Sequence, residues 1–233
     1  YRIPAVQAVF SDGSRAVELI YDSYKITSGK PKLKGLPATY IEDASEADTL
    51  EIVLTDTLKS MKVVLMYTAY NEIDAITRSV RIINESSEQI LLEKVMSASV
   101  DYETSDYDFV ELSGAWGRER HIERNRLRSG IQSIESRRGA SSHQLNPFFA
   151  LASKNANEEY GEVYGFNLVY SGNFTAGVEV DQIFKARAYI GMNDYDFSWL
   201  LESGESFQAP EAVMVYSSHV FGEMSRVYHR LYR

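Results

Sequence analysis

Between Leu50 and Val100 the apolar residues recur at the period of a β-strand, and only short polar turns separate the runs. Leu50, Ile52 and Leu54 alternate with Glu51, Val53 and Thr55. Lys62 to Tyr70 is apolar on both faces, the mark of a central strand. Ile76, Arg78, Val80 and Ile82 alternate with Thr77, Ser79 and Arg81. Asn84-Glu85-Ser86-Ser87-Glu88 is a hairpin-type turn, and Ile90 to Val100 returns as the next strand. Four strands joined in this way form an antiparallel meander. No helical segment of roughly 10–15 residues intervenes, which argues against βαβ crossovers.

The flanking sequence continues the pattern. Ala5 to Phe10 is strand-like and is followed by a turn at Ser11-Asp12-Gly13-Ser14. Val17 to Ile26 is aromatic and β-branched. Lys30 to Pro37 is a loop, because its two prolines exclude a central strand. Further strands are predicted over 162–170, 175–180, 185–190 and 212–216. At the end the period changes. Met224, Val227, Tyr228 and Leu231 fall at helical spacing and predict a helix over about residues 218–233. The expected fold is all-β and antiparallel, one domain over 1–233 with a C-terminal helix. Position 1 is Tyr rather than Met, and no signal-peptide layout is visible. The expectation is therefore a fragment of a longer protein, with the helix leading into a further domain.

Composition narrows the chemistry. The chain has no Cys, so disulfides, thiolate metal sites and Cys nucleophiles are excluded. Its net charge of −9 argues against non-specific nucleic-acid binding. No run approaches the roughly 20 apolar residues of a membrane-spanning helix. No metal or cofactor motif is present: the acidic cluster Asp101, Glu103, Asp106 and Asp108 lacks the Gly and Glu spacing of a calcium loop and reads as a solvated loop.

One stretch stands out chemically. Gly114 to His143 holds seven Arg and three Glu, +7 − 3 = +4, so the rest of the chain sums to −13. Arg137 and Arg138 present planar donor forks suited to a phosphate or carboxylate, or to internal ion pairs with the nearby glutamates. His121 and His143 are either acid–base groups or hydrogen-bonded in place. No Gly-rich phosphate loop and no Gly-x-Ser-x-Gly elbow accompanies them. Trp116 and Trp199 are either core residues or platforms on which a sugar ring could stack.

Several motifs together resemble the N-terminal domain of glycoside hydrolase family 36 α-galactosidases. They are GAWGRERH from Gly114, IQSIESRRGASSHQLNPF from Ile131, GEVYGF from Gly161, YSGNF from Tyr170, DFSWLL from Asp196, HRLYR from His229 and KPKLKGLPATY from Lys30. The resemblance runs along the whole chain. It implies a β-supersandwich like that of galactose mutarotases, with its first strands lying before Tyr1, ahead of a (β/α)8 catalytic barrel. It implies retaining hydrolysis of α-galactosyl groups of melibiose and raffinose-type sugars, by a carboxylate pair about 5 Å apart that belongs to the barrel. This chain is then expected to supply no catalytic residue, no metal ligand and no cofactor site. Its expected partners are the catalytic barrel, the α-galactoside through the parent enzyme, and other subunits of a cytoplasmic homo-tetramer. Nucleic acid and membrane are not expected. Trp116 and Trp199 are the candidate substrate contacts. Arg118, His121, Arg137, Arg138 and His143 are the candidate interface or structural signature. The alternatives are a free-standing galactoside-binding module, or a mutarotase-like aldose epimerase using a His acid and a Glu base.

Overall fold

A computed structural model describes residues 3–233; Tyr1 and Arg2 lie outside the described residues. The chain runs β1 (Val6–Phe10), β2 (Ile20–Ser28), β3 (Ala47–Asp56), β4 (Met61–Tyr70), β5 (Ala75–Asn84), β6 (Ile90–Tyr102), β7 (Tyr107–Ala115) and β8 (Arg118–Arg126). It continues through β9 (Gly130–Glu135), β10 (Leu145–Ser153), β11 (Val163–Val169), β12 (Phe174–Val180), β13 (Ala186–Met192), β14 (Trp199–Leu201), β15 (Ser206–Gln208), β16 (Glu211–Ser217) and α1 (Val220–Leu231). The larger sheet has the order β2-β3-β4-β5-β16-β11-β10-β7-β8, with β15 added to β5. The smaller has the order β1-β6-β13-β12-β9, with β14 added to β6. The pairings between these strands are antiparallel. The expected meander is β3-β4-β5, but its fourth strand, β6, leaves for the other sheet.

The sheets face each other across two apolar clusters. One joins Phe109, Phe149, Phe166 and Leu168 of the larger sheet to Phe174, Val178, Ala188 and Ile190 of the smaller. Phe149 stacks between Phe109 and Phe166, at 5.2 and 4.7 Å. The other joins Met61, Val63, Val80 and Ile82 to Ala8, Phe10, Ile90 and Leu92. Alternation along each strand sends one set of side chains into this interior, so the strong period-2 segments of the sequence form its centre.

The outer face of the larger sheet is covered in two places. Helix α1 lays Met224, Val227, Tyr228 and Leu231 on Val163, Val213 and Val215. The 30–40 loop lays Leu33 on Val64 and Met66. An ion pair pins that loop: Lys30 Nζ lies 2.5 Å from Glu211 Oε2, with side chains only 4% and 2% exposed. Thr39 donates its hydroxyl to Glu211 Oε1 at 2.5 Å, and Tyr70 donates to Thr39 Oγ1 at 2.7 Å. Two charges survive burial here because each has a partner and the carboxylate accepts a further hydrogen bond.

The inner face is not covered throughout. Tyr24 is paired with Ile52 and Ile52 with Leu65; Ile26 is paired with Leu50 and Leu50 with Tyr67. These rows share the face of the core residue Val63; Leu65 packs against the second cluster, but Leu50, Ile52 and Tyr67 belong to neither, and Tyr24 and Ile26 are each 63% exposed.

Candidate functional site

The arginine-rich stretch folds into the edge of the sandwich. β7 and β8 form a hairpin whose tip, Ala115-Trp116-Gly117-Arg118, turns through positive φ at Gly117. The register slips between Ser113 and Ala115, so two β8 residues stand opposite Gly114, a β-bulge. The extra residue leaves Arg120 at φ +56, an uncommon conformation for a residue with a side chain. Gly114 has no room for a methyl group, which would meet the Arg118 carbonyl and lie 2.9 Å from Glu119 Cα. At the tip Gly117 N–H donates to Glu119 Oε1 at 2.9 Å, and this bond leads the causes that lower the Glu119 pKa. β8 then ends at Arg126, and the chain crosses to the edge of the smaller sheet as β9.

Two adjoining concavities open beside the hairpin and share Gln144 and Leu145. One, about 440 Å³, is lined by Arg118, His121 and Glu123. The other, about 200 Å³, is lined by Glu135, Arg137 and Arg138. The 136–145 loop is held between them. Gly114 N–H donates to the Gln144 carbonyl at 3.0 Å, and Gly139 N–H donates to Asn173 Oδ1 at 2.6 Å. Asn193 Nδ2 donates to the Ser136 carbonyl at 3.1 Å. His143 sits close enough to Glu119 to help lower its pKa. The fold thus gathers Arg118, His121, Arg137, Arg138 and His143 around one end of the sandwich, all exposed.

The arginines divide by role. Arg124 is a clamp: Nε bonds Asp108 at 2.7 Å, while Nη1 and Nη2 reach the carbonyls of Ala156, Ser153 and Lys154 at 2.6, 2.9 and 3.0 Å. Arg126 pairs with Asp106 and lies 3.5 Å from Asp108. Arg137 pairs with Glu135 at 2.9 Å and lies over the Tyr195 ring at 4.1 Å. The acidic cluster is therefore ion-paired as well as solvated: Asp101 bonds Arg187 at 2.6 Å and Glu103 bonds Lys185 at 2.5 Å. Among the described residues no group of three or more His, Cys, Asp or Glu could hold a metal ion.

One feature escaped sequence reasoning. Glu111 stands directly opposite Glu123 across β7 and β8. Burial, and then the Glu123 charge, raise the Glu111 pKa. Nothing local marks the pair, because it exists only once the two strands are in register.

The tryptophans are separate. Trp116, 99% exposed, crowns the hairpin and belongs to no core. Trp199, 49% exposed, lies on β14 of the smaller sheet, its ring 5.4 Å from Phe207. They sit on different sheets and do not form one platform.

With this geometry in view, residues 1–202 match the glycosyl hydrolase family 36 N-terminal domain. The chain belongs to that family. It is 56% identical over 233 residues to α-galactosidase AgaA of Geobacillus stearothermophilus, covering 100% of this chain and 32% of that protein. It is 44% identical to α-galactosidase 1 of Pediococcus pentosaceus, with the same coverage. A crystal structure of a Geobacillus stearothermophilus AgaA variant in complex with raffinose matches with a TM-score of 0.98 at 56% identity, covering 100% of this chain and 32% of that one. The galactosidase domain of an α-galactosidase–sucrose kinase matches with a TM-score of 0.96 at 41% identity, over 99% of this chain and 32% of that one. The chain thus spans about a third of the length of these relatives.

Proposed function

We propose that this family 36 chain is the non-catalytic N-terminal domain of a retaining α-galactosidase acting on melibiose and raffinose-type oligosaccharides. In this reading a cytoplasmic enzyme carries its catalytic carboxylates in a barrel that follows α1. The domain holds the assembly together and walls the active site. The observation that carries the assembly role is the hairpin itself. Trp116, Arg118 and Arg120 are exposed, and a glycine-dependent bulge fixes their direction. A large aromatic held out in water on a rigid turn is the kind of group that anchors an interface. The raffinose bound to a relative supports the substrate class.

The two alternatives have less support. Trp116 and Trp199 offer single rings rather than a shared sugar platform. His121 and Glu123 line one concavity, as an epimerase-type acid and base would, but both lie open to water on an edge strand. The test uses the complete polypeptide that carries this sequence. It should hydrolyse an aryl α-galactoside and migrate as an oligomer, and Trp116→Ala should lower its mass. An active polypeptide whose mass is unchanged by Trp116→Ala would remove the assembly role. An inactive one would remove the α-galactosidase reading.

A further inference from the structure

An apolar groove of about 810 Å³ runs along the outer face of the larger sheet, between α1 and the β7–β8 hairpin. Leu112, Ile122, Phe148, Phe221, Tyr228 and Tyr232 line it. Ile122 is the telling residue. β8 reads RERHIERNR, and its one large apolar side chain is 65% exposed and faces this groove. The rest of the strand is polar, and Ile122 joins Leu112, Phe148 and Phe221 in one contiguous apolar lining rather than standing as an isolated exposed residue. The rim carries Arg226 and His229 on α1, neither of which makes an ion pair among the described residues.

The groove also lies where the chain leaves the sandwich. Tyr228, His229 and Tyr232 belong to the last turns of α1 and to the residue after it, and Tyr232 donates to Asn167 Oδ1 at 2.5 Å on the groove floor. In the relatives this domain is N-terminal and about two-thirds of the polypeptide lies outside it. A segment following α1 therefore reaches the groove without a linker.

We infer that this groove is the seat of the polypeptide that follows α1 in the longer enzyme, and so the surface that orients the catalytic part against the sandwich. The inference rests on the proposed reading that such a part follows. The segment it fits is apolar along one side, with carboxylates or chain carbonyls set to meet Arg226 and His229. Ile122 then becomes a buried contact of the complete enzyme.

A site-specific cross-link tests this. These 233 residues contain no cysteine, so Ile122→Cys adds a unique thiol to the domain. In the complete polypeptide it is labelled with a thiol-reactive benzophenone, irradiated and digested. The expected product is an intrachain link, at unchanged molecular mass, to a peptide C-terminal to α1. A link to a second copy, seen as doubled mass, would overturn the inference, and so would the absence of any link. A second variant guards against a folding artefact. Ile122→Asp should leave the unfolding midpoint of the isolated domain in place, because the side chain is exposed there, and lower that of the complete polypeptide. Equal midpoints in the complete polypeptide would also count against the proposal. Hydrolysis of an aryl α-galactoside, assayed in parallel, reports separately on the α-galactosidase reading.

Discussion

Glu211 and Lys30 show what a single residue decides in this fold. The two lie 181 positions apart in sequence and meet in a nearly dry contact. Removing one partner leaves a buried charge uncompensated, so Glu211→Ala should cost about 3–5 kcal/mol by urea unfolding. Replacing both by apolar residues of similar size should restore most of that loss. A double variant no more stable than the single would show that the pair is not what fastens the 30–40 loop. Tyrosines set the alkaline limit. Burial is the main cause pushing Tyr70 and Tyr189 up from 10.0 to about 12. The folded state thus holds these protons more tightly than the unfolded chain. The stabilisation is complete below pH 10 and disappears as the pH rises toward 12. Circular dichroism across that window should show unfolding that Tyr70→Phe shifts to higher pH. Asn84 is a buried residue at the end of β5, where the turn begins. It heads an Asn-Glu-Ser glycosylation tripeptide, yet it is fully buried and donates to the Glu88 and Leu201 carbonyls at 2.7 and 3.0 Å, so no glycan can reach it.

At the scale of elements, legibility in the sequence followed burial on one face only in part, since β7 and β10 carry the core residues Phe109, Phe149 and Leu151 and no strand is predicted over either. β3, β4, β5, β12 and β16 pack one side inward or lie between two layers, and period or apolar density alone marks them along the chain. Helix α1 announces itself by its apolar stripe at Met224, Val227, Tyr228 and Leu231. β8 does not, because an edge strand exposed on both sides needs no alternation, and the arginine-rich stretch that contains it suggests an anion site or internal ion pairs rather than a strand. β14 and β15 are three residues each, too short to carry a period. The candidate site was half legible. The signature residues were identifiable by type, and the structure gathers five of them. Their separation from Trp199, the bulge at Gly114 and the Glu111–Glu123 pair depend on strand register, which no local pattern encodes. β2 supplies the element-scale prediction. It is an edge strand bearing exposed Tyr24 and Ile26, a template for unwanted association. The isolated 233-residue chain should bind a hydrophobic dye and self-associate, and Tyr24→Lys with Ile26→Lys should reduce both. Dye binding unchanged by the pair would place the apolar surface elsewhere.

The whole molecule is a sandwich with one face of its larger sheet covered by a helix and a pinned loop. Part of the other face is open, and a charged hairpin extends at one edge. Among the described residues the ion pairs engage only part of its carboxylates, and Glu111 and Glu123 share an edge hairpin rather than a closed cleft. Retaining hydrolysis of a glycoside needs two carboxyl groups about 5 Å apart on either side of a bound sugar ring, in a site that excludes bulk water. On the reading proposed above, a chain that spans about a third of its relatives' length works as scaffold, with the chemistry supplied by the remainder. The most direct measurement is release of chromophore from an aryl α-galactoside by the purified 233-residue chain, beside the complete polypeptide. The chain alone should show no turnover above buffer while the complete polypeptide is active. Turnover that co-purifies with the 233-residue chain would show that the catalytic groups lie within the sandwich after all.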